Sequence, residues 1–170
     1  MELGISAAVT SLLGLSALAI LWATRPRLNP RLQNSQTPPS ELEQLKQDLH
    51  ESELKTPNLV PGTEATIGFA DPDNPAKTEL VFMYVHGFSA TWRETAPVAE
   101  TLAKSFGANI LQCRLSGHGT GPEGMKCSAE DWLLSLDRQA QIAERLGKKI
   151  VVIAVSTGAP LSVWLATHSA

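Results

Sequence analysis

The stretch that decides the fold is Lys148–Ala166, "KKIVVIAVSTGAPLSVWLA". An apolar run over 150–155 leads directly into Ser156, and a helix-like apolar pattern follows from Ala159. Such a run is typical of a strand buried on both faces, as in a parallel sheet. The sequence therefore predicts a strand that ends at Ser156 and a helix that begins just after it.

The residues around Ser156 have the spacing of a tight strand-to-helix turn. In such a turn the two backbones almost touch, so the positions two before and two after the serine must be small. Ala154 and Gly158 meet that requirement. The serine oxygen then lies above the first turn of a helix, where free N–H groups favour negative charge. We predict that Ser156 is a nucleophile.

Strands and helices alternate before this turn. "ELVFMYVHGF" (79–88) and "ANILQCRL" (108–115) predict two more strands, with helices over 97–107 and 129–147. This alternation predicts an α/β fold, with a parallel sheet and flanking helices. We expect three parallel strands, and one or two short strands from "EATIGFA" (64–70).

Three motifs follow the three predicted strands: "HGF" at 86–88, "RLSGHGTG" at 114–121 and "AVSTG" at 154–158. The carboxyl ends of parallel strands meet at one edge of the sheet, so all three motifs are expected there. An acyl-transfer intermediate needs two N–H donors for its oxyanion. The backbone N–H groups of Thr157 and Phe88 are the candidates.

These motifs, with "VFMYVHGFSATWRETAPVAETLA" and "SAEDW", resemble the α/β-hydrolase superfamily. They are most similar to its branch of carboxylesterases, monoacylglycerol lipases and serine aminopeptidases, and the resemblance covers about residues 62–170. It implies that Ser156 is the nucleophile and that Phe88 and Thr157 supply the oxyanion N–H groups. His118 matches a loop-shaping residue, and Ala154 stands where glycine is commoner. Four residues support the motifs: His86, Gly87, Ala154 and Gly158.

The base that would activate Ser156 is harder to assign. In this family's order an acid and a histidine follow the serine. Beyond Ser156 the sequence has no Asp or Glu, and its only histidine is His168. On a continuous helix His168 lies about 18 Å from Ser156, whereas proton transfer needs about 3 Å. His86 is disfavoured because no acid is placed by sequence to orient it. We therefore expect the 170-residue chain to have little or no turnover by itself.

The sequence stops within the helix that follows Ser156. We accordingly expect only the N-terminal part of a hydrolase domain, over 62–170, truncated after the nucleophile helix. The strand over 150–155 would then be an open apolar edge, which favours pairing with another chain. We expect self-association through this edge.

The N-terminal segment is predicted to be a transmembrane anchor over 1–24. No charged residue occurs from Leu3 to Thr24, and about 20 apolar residues span a bilayer. Arginines follow at once in "RPRLNPR", which predicts a single-pass anchor in contact with the membrane through 3–24 and a domain on the cytoplasmic side. A cleaved signal peptide would need a basic start, and a buried soluble helix is the other alternative.

A linker is predicted over 25–61. Its first part is rich in Pro, Asn, Gln and Ser, and a short amphipathic helix follows. Ser40 and Glu43 have the spacing of a capping box. The apolar face of this helix is narrow and consists of Leu42, Leu45 and Leu49. We expect the helix to pack on the domain or to stand off the membrane.

Composition excludes several classes of function. With 14 basic and 17 acidic side chains and a net charge of −3, the chain has no basic stripe, so we expect no nucleic-acid partner. No phosphate-binding motif and no metal-ligand spacing occur, so neither cofactor nor metal is expected. The first hypothesis is a membrane-anchored serine hydrolase of small-molecule carboxylic esters, including lipid-derived ones. The alternatives are an aminopeptidase-type serine hydrolase and a non-catalytic membrane-tethered binding protein.

Overall fold

A computed structural model describes residues 2–24, 38–39 and 41–168, with side chains in the first helix from Leu13 onward. Within these residues five helices and four strands follow one another: α1 (Glu2–Thr24), α2 (Leu42–Leu54), β1 (Thr66–Gly68), β2 (Thr78–Val85), α3 (Val98–Ser105), β3 (Asn109–Gln112), α4 (Ala129–Leu146), β4 (Gly147–Ala154) and α5 (Gly158–His168). Two short 3-10 turns occupy Trp92–Thr95 and Gly124–Lys126.

The four strands form one sheet in the order β1-β3-β2-β4. β2 pairs in parallel with β3 on one side and with β4 on the other. β1 pairs antiparallel with β3. The α/β class, the three parallel strands and the short extra strand within 64–70 are therefore confirmed. The predicted boundaries of α3 and α4 extended one or two residues too far, because Gly107 and Gly147 follow those helices instead of belonging to them.

The inner strand β2 is buried on both faces, as its continuous apolar run predicted. The same expectation for the run over 150–155 was wrong: β4 is half-buried or exposed after Gly147, because it lies at the edge of the described sheet. Val81, Met83 and Val85 belong to a core cluster that includes leucines from α2, α4 and α5. Phe82 and Tyr84 belong to a second cluster that includes alanines from α3. Helices therefore cover both faces of the sheet, which leaves the carboxyl ends of the strands for the loops that follow them.

Helix α2 packs on the sheet domain, which was one of the two positions that the sequence allowed. Leu45 and Leu49 are buried in the core, and Leu42 packs against it. The capping box was predicted on Ser40, which lies outside the described residues. The residue that precedes the helix is Glu41, and its side chain makes no capping hydrogen bond. A capping box occurs instead on α4, between Ser128 and Asp131.

Helix α1 coincides with the predicted anchor segment. Its side chains from Leu13 to Thr24 are all exposed. Counted over the part of the chain that the structure describes, no helix has the length and apolar character required to cross a membrane. The anchor thus receives no support from the structure and stays a prediction.

Candidate active site at the carboxyl ends of the strands

Ser156 lies in the turn between β4 and α5 and is exposed. Its φ is +47°, a left-handed conformation that costs a residue with a side chain about 1–2 kcal/mol. Hydrogen bonds hold the turn on both sides. The Val155 N–H donates to the Val85 backbone carbonyl oxygen at 3.0 Å, and the Ala159 N–H donates to the Ser156 backbone carbonyl oxygen at 3.0 Å. A strained serine at an exposed tip is the local geometry that a nucleophile requires.

The small residues beside Ser156 have a steric reason. A Cβ on Gly158 would lie 2.5 Å from the Val85 oxygen and 2.7 Å from the His86 oxygen. Only glycine therefore allows α5 to start so close to the end of β2. Ala154 is the last residue of β4, lies opposite Val85 and packs against the core.

The loop after β2 runs alongside the serine. A Cβ built on Gly87 would lie 3.4 Å from the Ser156 Cβ and 3.6 Å from the Val155 oxygen. The next residue in this loop is Phe88, whose side chain is 58% exposed. Within the described residues, neither the Phe88 N–H nor the Thr157 N–H donates a hydrogen bond. Two free donors thus occur on the residues next to Gly87 and Ser156.

His86 is fully buried and both of its ring nitrogens are engaged. Its Nε2 accepts from the Leu115 N–H at 3.0 Å, so the proton is on Nδ1, which donates to the Gly87 oxygen at 2.9 Å. Burial lowers the pKa of His86 to about 4. A neutral ring with no free nitrogen orders loops and does not serve as a base for Ser156.

His118 is the second buried histidine at this edge. It lies 4.6 Å from His86 between ring centroids, and its Nδ1 is 3.2 Å from the Ser116 oxygen. Burial lowers its pKa as well. Edge-on contacts join its ring to those of Phe88 and Trp132. His118 thus orders the loop after β3 and supports Phe88.

The two other histidines of the chain are remote from this turn. α5 is continuous to His168, whose ring stacks on Trp164 at 4.6 Å, so its separation from Ser156 follows the rise of the helix, about 18 Å. His50 lies on α2 and is exposed. His86 therefore has no free ring nitrogen and His168 lies far along α5, whereas the buried Nε2 of His118 makes no hydrogen bond to the described residues.

Glu94 is a residue that the sequence did not reveal. Its Oε1 accepts from the Gly87 N–H at 2.7 Å and from the Tyr84 hydroxyl at 3.0 Å. Its Oε2 lies 3.4 Å from the Cβ position of Gly87. No periodicity or motif marks this glutamate, because only the 3-10 turn over Trp92–Thr95 returns it to the loop.

The described residues also bear on the ligands that a metal ion would need. In the part of the chain described, no group of three or more His, Cys, Asp or Glu side chains could hold a metal ion. Cys113 and Cys127 are both free thiols.

Comparison with known proteins identifies a partial relative. Over 100 residues the chain is 34% identical to a thermostable monoacylglycerol lipase from Bacillus sp. (strain H-257). The match covers 58% of this chain and 40% of the lipase, so the chain spans well under half of that relative's length. No protein-family model matches the sequence. The likeness and the mixed α/β sheet are compatible with an α/β-hydrolase.

Proposed function

We propose that this chain carries the nucleophile and the oxyanion hole of a serine hydrolase of the α/β-hydrolase superfamily that acts on carboxylic esters. The observation that carries the proposal is the left-handed φ of Ser156 at the exposed tip between β4 and α5. The partial likeness to a monoacylglycerol lipase supports the same reaction class.

The proposed reaction is acyl transfer to Ser156. Its Oγ attacks the ester carbonyl, and the carbonyl oxygen becomes an oxyanion. The N–H groups of Phe88 and Thr157 donate to this oxyanion, and the first turn of α5 adds the favourable field of its dipole. The bond between the carbonyl carbon and the leaving oxygen then breaks, which leaves an acyl ester on Ser156. The serine proton passes to the leaving oxygen, through water where no side chain serves as base, and the alcohol departs.

We infer that the described residues supply no base for Ser156. His86 uses both nitrogens within the fold, and His168 lies far along α5. We therefore propose that the 170-residue chain by itself acylates slowly. Catalysis without the triad base still exceeds the reaction in water by about 10³–10⁴-fold, through the oxyanion hole and substrate binding.

Acylation of Ser156 tests this proposal directly. The full chain is incubated with p-nitrophenyl acetate, and the acetyl group is located by mass spectrometry. We expect acetylation at Ser156 that Ser156→Ala abolishes, whereas the control Ser162→Ala, on the helix that follows the turn, retains it. Release of p-nitrophenol that is unchanged in Ser156→Ala would overturn the proposal and favour a non-catalytic binding protein.

The proposed substrates are small esters with an apolar acyl group, including lipid-derived ones. Phe88 supports this choice because it offers an exposed aromatic surface beside the turn and is held by an edge contact with Trp132. The relative's name states that it acts on monoacylglycerols. Aminopeptidase activity has no specific observation in its favour.

We also propose that residues 1–24 attach the chain to a membrane, with the domain on the cytoplasmic side. The support is the uncharged stretch from Leu3 to Thr24 and the exposure of the apolar side chains along α1. We expect the full chain to remain in membranes after a carbonate wash. Leu15→Arg with Leu18→Arg should release it, whereas Leu54→Arg, at an exposed leucine of α2, should not. Release of the unaltered chain would contradict the anchor.

A further inference from the structure

The peptide group between Gly87 and Phe88 is restrained by a set of hydrogen bonds. Its oxygen accepts from the His86 Nδ1–H at 2.9 Å and from the Ala90 N–H at 3.3 Å. The N–H that precedes it, on Gly87, donates to the Glu94 Oε1 at 2.7 Å. The backbone is thus held on both sides of the Gly87 Cα.

These restraints determine where the Phe88 N–H points. The Gly87–Phe88 peptide is trans, and in a planar trans peptide the C=O and the N–H point in opposite directions. The two hydrogen bonds to the Gly87 oxygen fix the direction of the C=O group. The Phe88 N–H is therefore fixed in the opposite direction. Rotation of the backbone at the Gly87 Cα would turn the Phe88 N–H away from this direction. The hydrogen bond from the Gly87 N–H to Glu94 opposes that rotation.

The Glu94 carboxylate is itself held in place. The Glu94 N–H donates to the Thr91 oxygen at 3.1 Å, and Trp92 Nε1 donates to the Glu64 oxygen at 3.0 Å, which ties the turn to the segment before β1. The Tyr84 hydroxyl donates to Glu94 Oε1 at 3.0 Å from the buried end of β2. Tyr84 is only 1% exposed, so the carboxylate has a rigid support.

We propose that Glu94 is a positioning residue for the oxyanion hole. It accepts the Gly87 N–H and thereby keeps the Phe88 N–H in the direction needed by the oxyanion formed at Ser156. This inference rests on the proposed function. The role depends on the reach of an acceptor oxygen and not on negative charge, because a negative charge at this place would repel the oxyanion.

Two conservative variants separate reach from charge. Glu94→Gln keeps an acceptor oxygen at the same reach and removes the charge. Glu94→Asp keeps the charge and withdraws the acceptor by one methylene. A control, Glu79→Ala, removes an exposed carboxylate at the other end of β2. The measurement is the acylation of Ser156 by p-nitrophenyl acetate, resolved into a limiting rate and a half-saturation concentration, with the thermal midpoint of each variant.

We expect Glu94→Asp to lower the limiting rate by about 10- to 100-fold, somewhat less than the roughly 10²–10³-fold loss when an oxyanion donor is removed. Its half-saturation concentration and thermal midpoint should change little. The limiting rate of Glu94→Gln should stay within about threefold of that of the unaltered chain. The reason is that a hydrogen bond to a neutral acceptor retains about half the strength of one to a charged acceptor. Glu79→Ala should have no effect.

Other results would overturn the inference. Equal rates in Glu94→Asp and the unaltered chain would show that the Gly87 bond is not needed. A loss in Glu94→Gln with retention in Glu94→Asp would assign Glu94 a charge-dependent role instead. Parallel losses of rate and thermal midpoint in both variants would indicate a general folding role. If the unaltered chain is never acylated at Ser156, the proposed function itself fails and the inference with it.

Discussion

At the residue scale, the candidate site depends on how individual polar groups are paired. Ser156 has a strained backbone and an exposed side chain, whereas His86 nearby is buried with both ring nitrogens hydrogen-bonded. The spacing of small residues was sufficient to nominate Ser156. The environment of His86, in contrast, is evident only when Leu115 and Gly87 are seen on its two nitrogens.

The burial of the His86 ring predicts that the free energy of unfolding depends on pH. Burial lowers its pKa to about 4 in the folded chain, against 6.5 for an ordinary histidine, so between these values the unfolded chain binds more protons. Stability is therefore full above pH 6.5 and falls as the pH decreases toward 4, by on the order of 3 kcal/mol. Urea unfolding at a series of pH values measures this slope.

Histidine variants separate the part of this pH dependence that is due to His86 from the part that is due to carboxylates. His86→Gln should flatten the fall in unfolding free energy between pH 6.5 and 4, although it lowers stability at pH 7. His50→Gln, at an exposed histidine, should keep the full slope. An unchanged slope in His86→Gln would refute the assignment.

At the scale of elements, α2 is joined to the site by a buried ion pair. Arg114, in the loop after β3, forms a two-point contact with Glu53 of α2, and its Nη2–Oε1 distance is 3.0 Å. Arg114 also donates to the His118 oxygen at 3.1 Å. α2 is therefore tied to the loop that carries His118, which its amphipathic pattern did not indicate.

This ion pair predicts a large effect of Arg114→Met. Removal of the guanidinium leaves the Glu53 carboxylate buried without its charge partner, which typically costs about 3–5 kcal/mol. The exposed pair Lys148–Glu79 provides the control, since solvent screens it and Lys148→Met should change the free energy of unfolding far less. Urea unfolding measures both, and equal losses would contradict the buried pair's role.

At the scale of the whole molecule, the sheet has β4 at one end of its strand order. Val152 in this strand is 39% exposed, and Lys148 and Lys149 are exposed at its start. We propose that a second copy of this chain pairs with this edge in the antiparallel direction. Centred on Val151, such a pair places the lysines at opposite ends, whereas parallel pairing in register would bring like charges together.

Self-association is tested by sedimentation equilibrium of the full chain in a non-denaturing detergent. We expect a concentration-dependent dimer that Val152→Lys weakens by about tenfold or more, since a like charge then faces the pairing edge. Val60→Lys, at an exposed valine outside the sheet, should leave it unchanged. A monomer at all concentrations, or equal association of Val152→Lys, would contradict the proposal.

The sequence by itself determined the local architecture: the apolar runs that form β2 and β4, the strand-to-helix turn at Ser156, and glycine at Gly158. These features follow from side-chain period and from steric limits between neighbouring residues, which a single stretch of sequence contains. Only the tertiary structure decided that Glu94 accepts from Gly87, that Arg114 pairs with Glu53, and that His86 is closed to catalysis. Each of those contacts depends on turn geometry or joins segments distant along the chain, and a local sequence pattern does not predict such contacts.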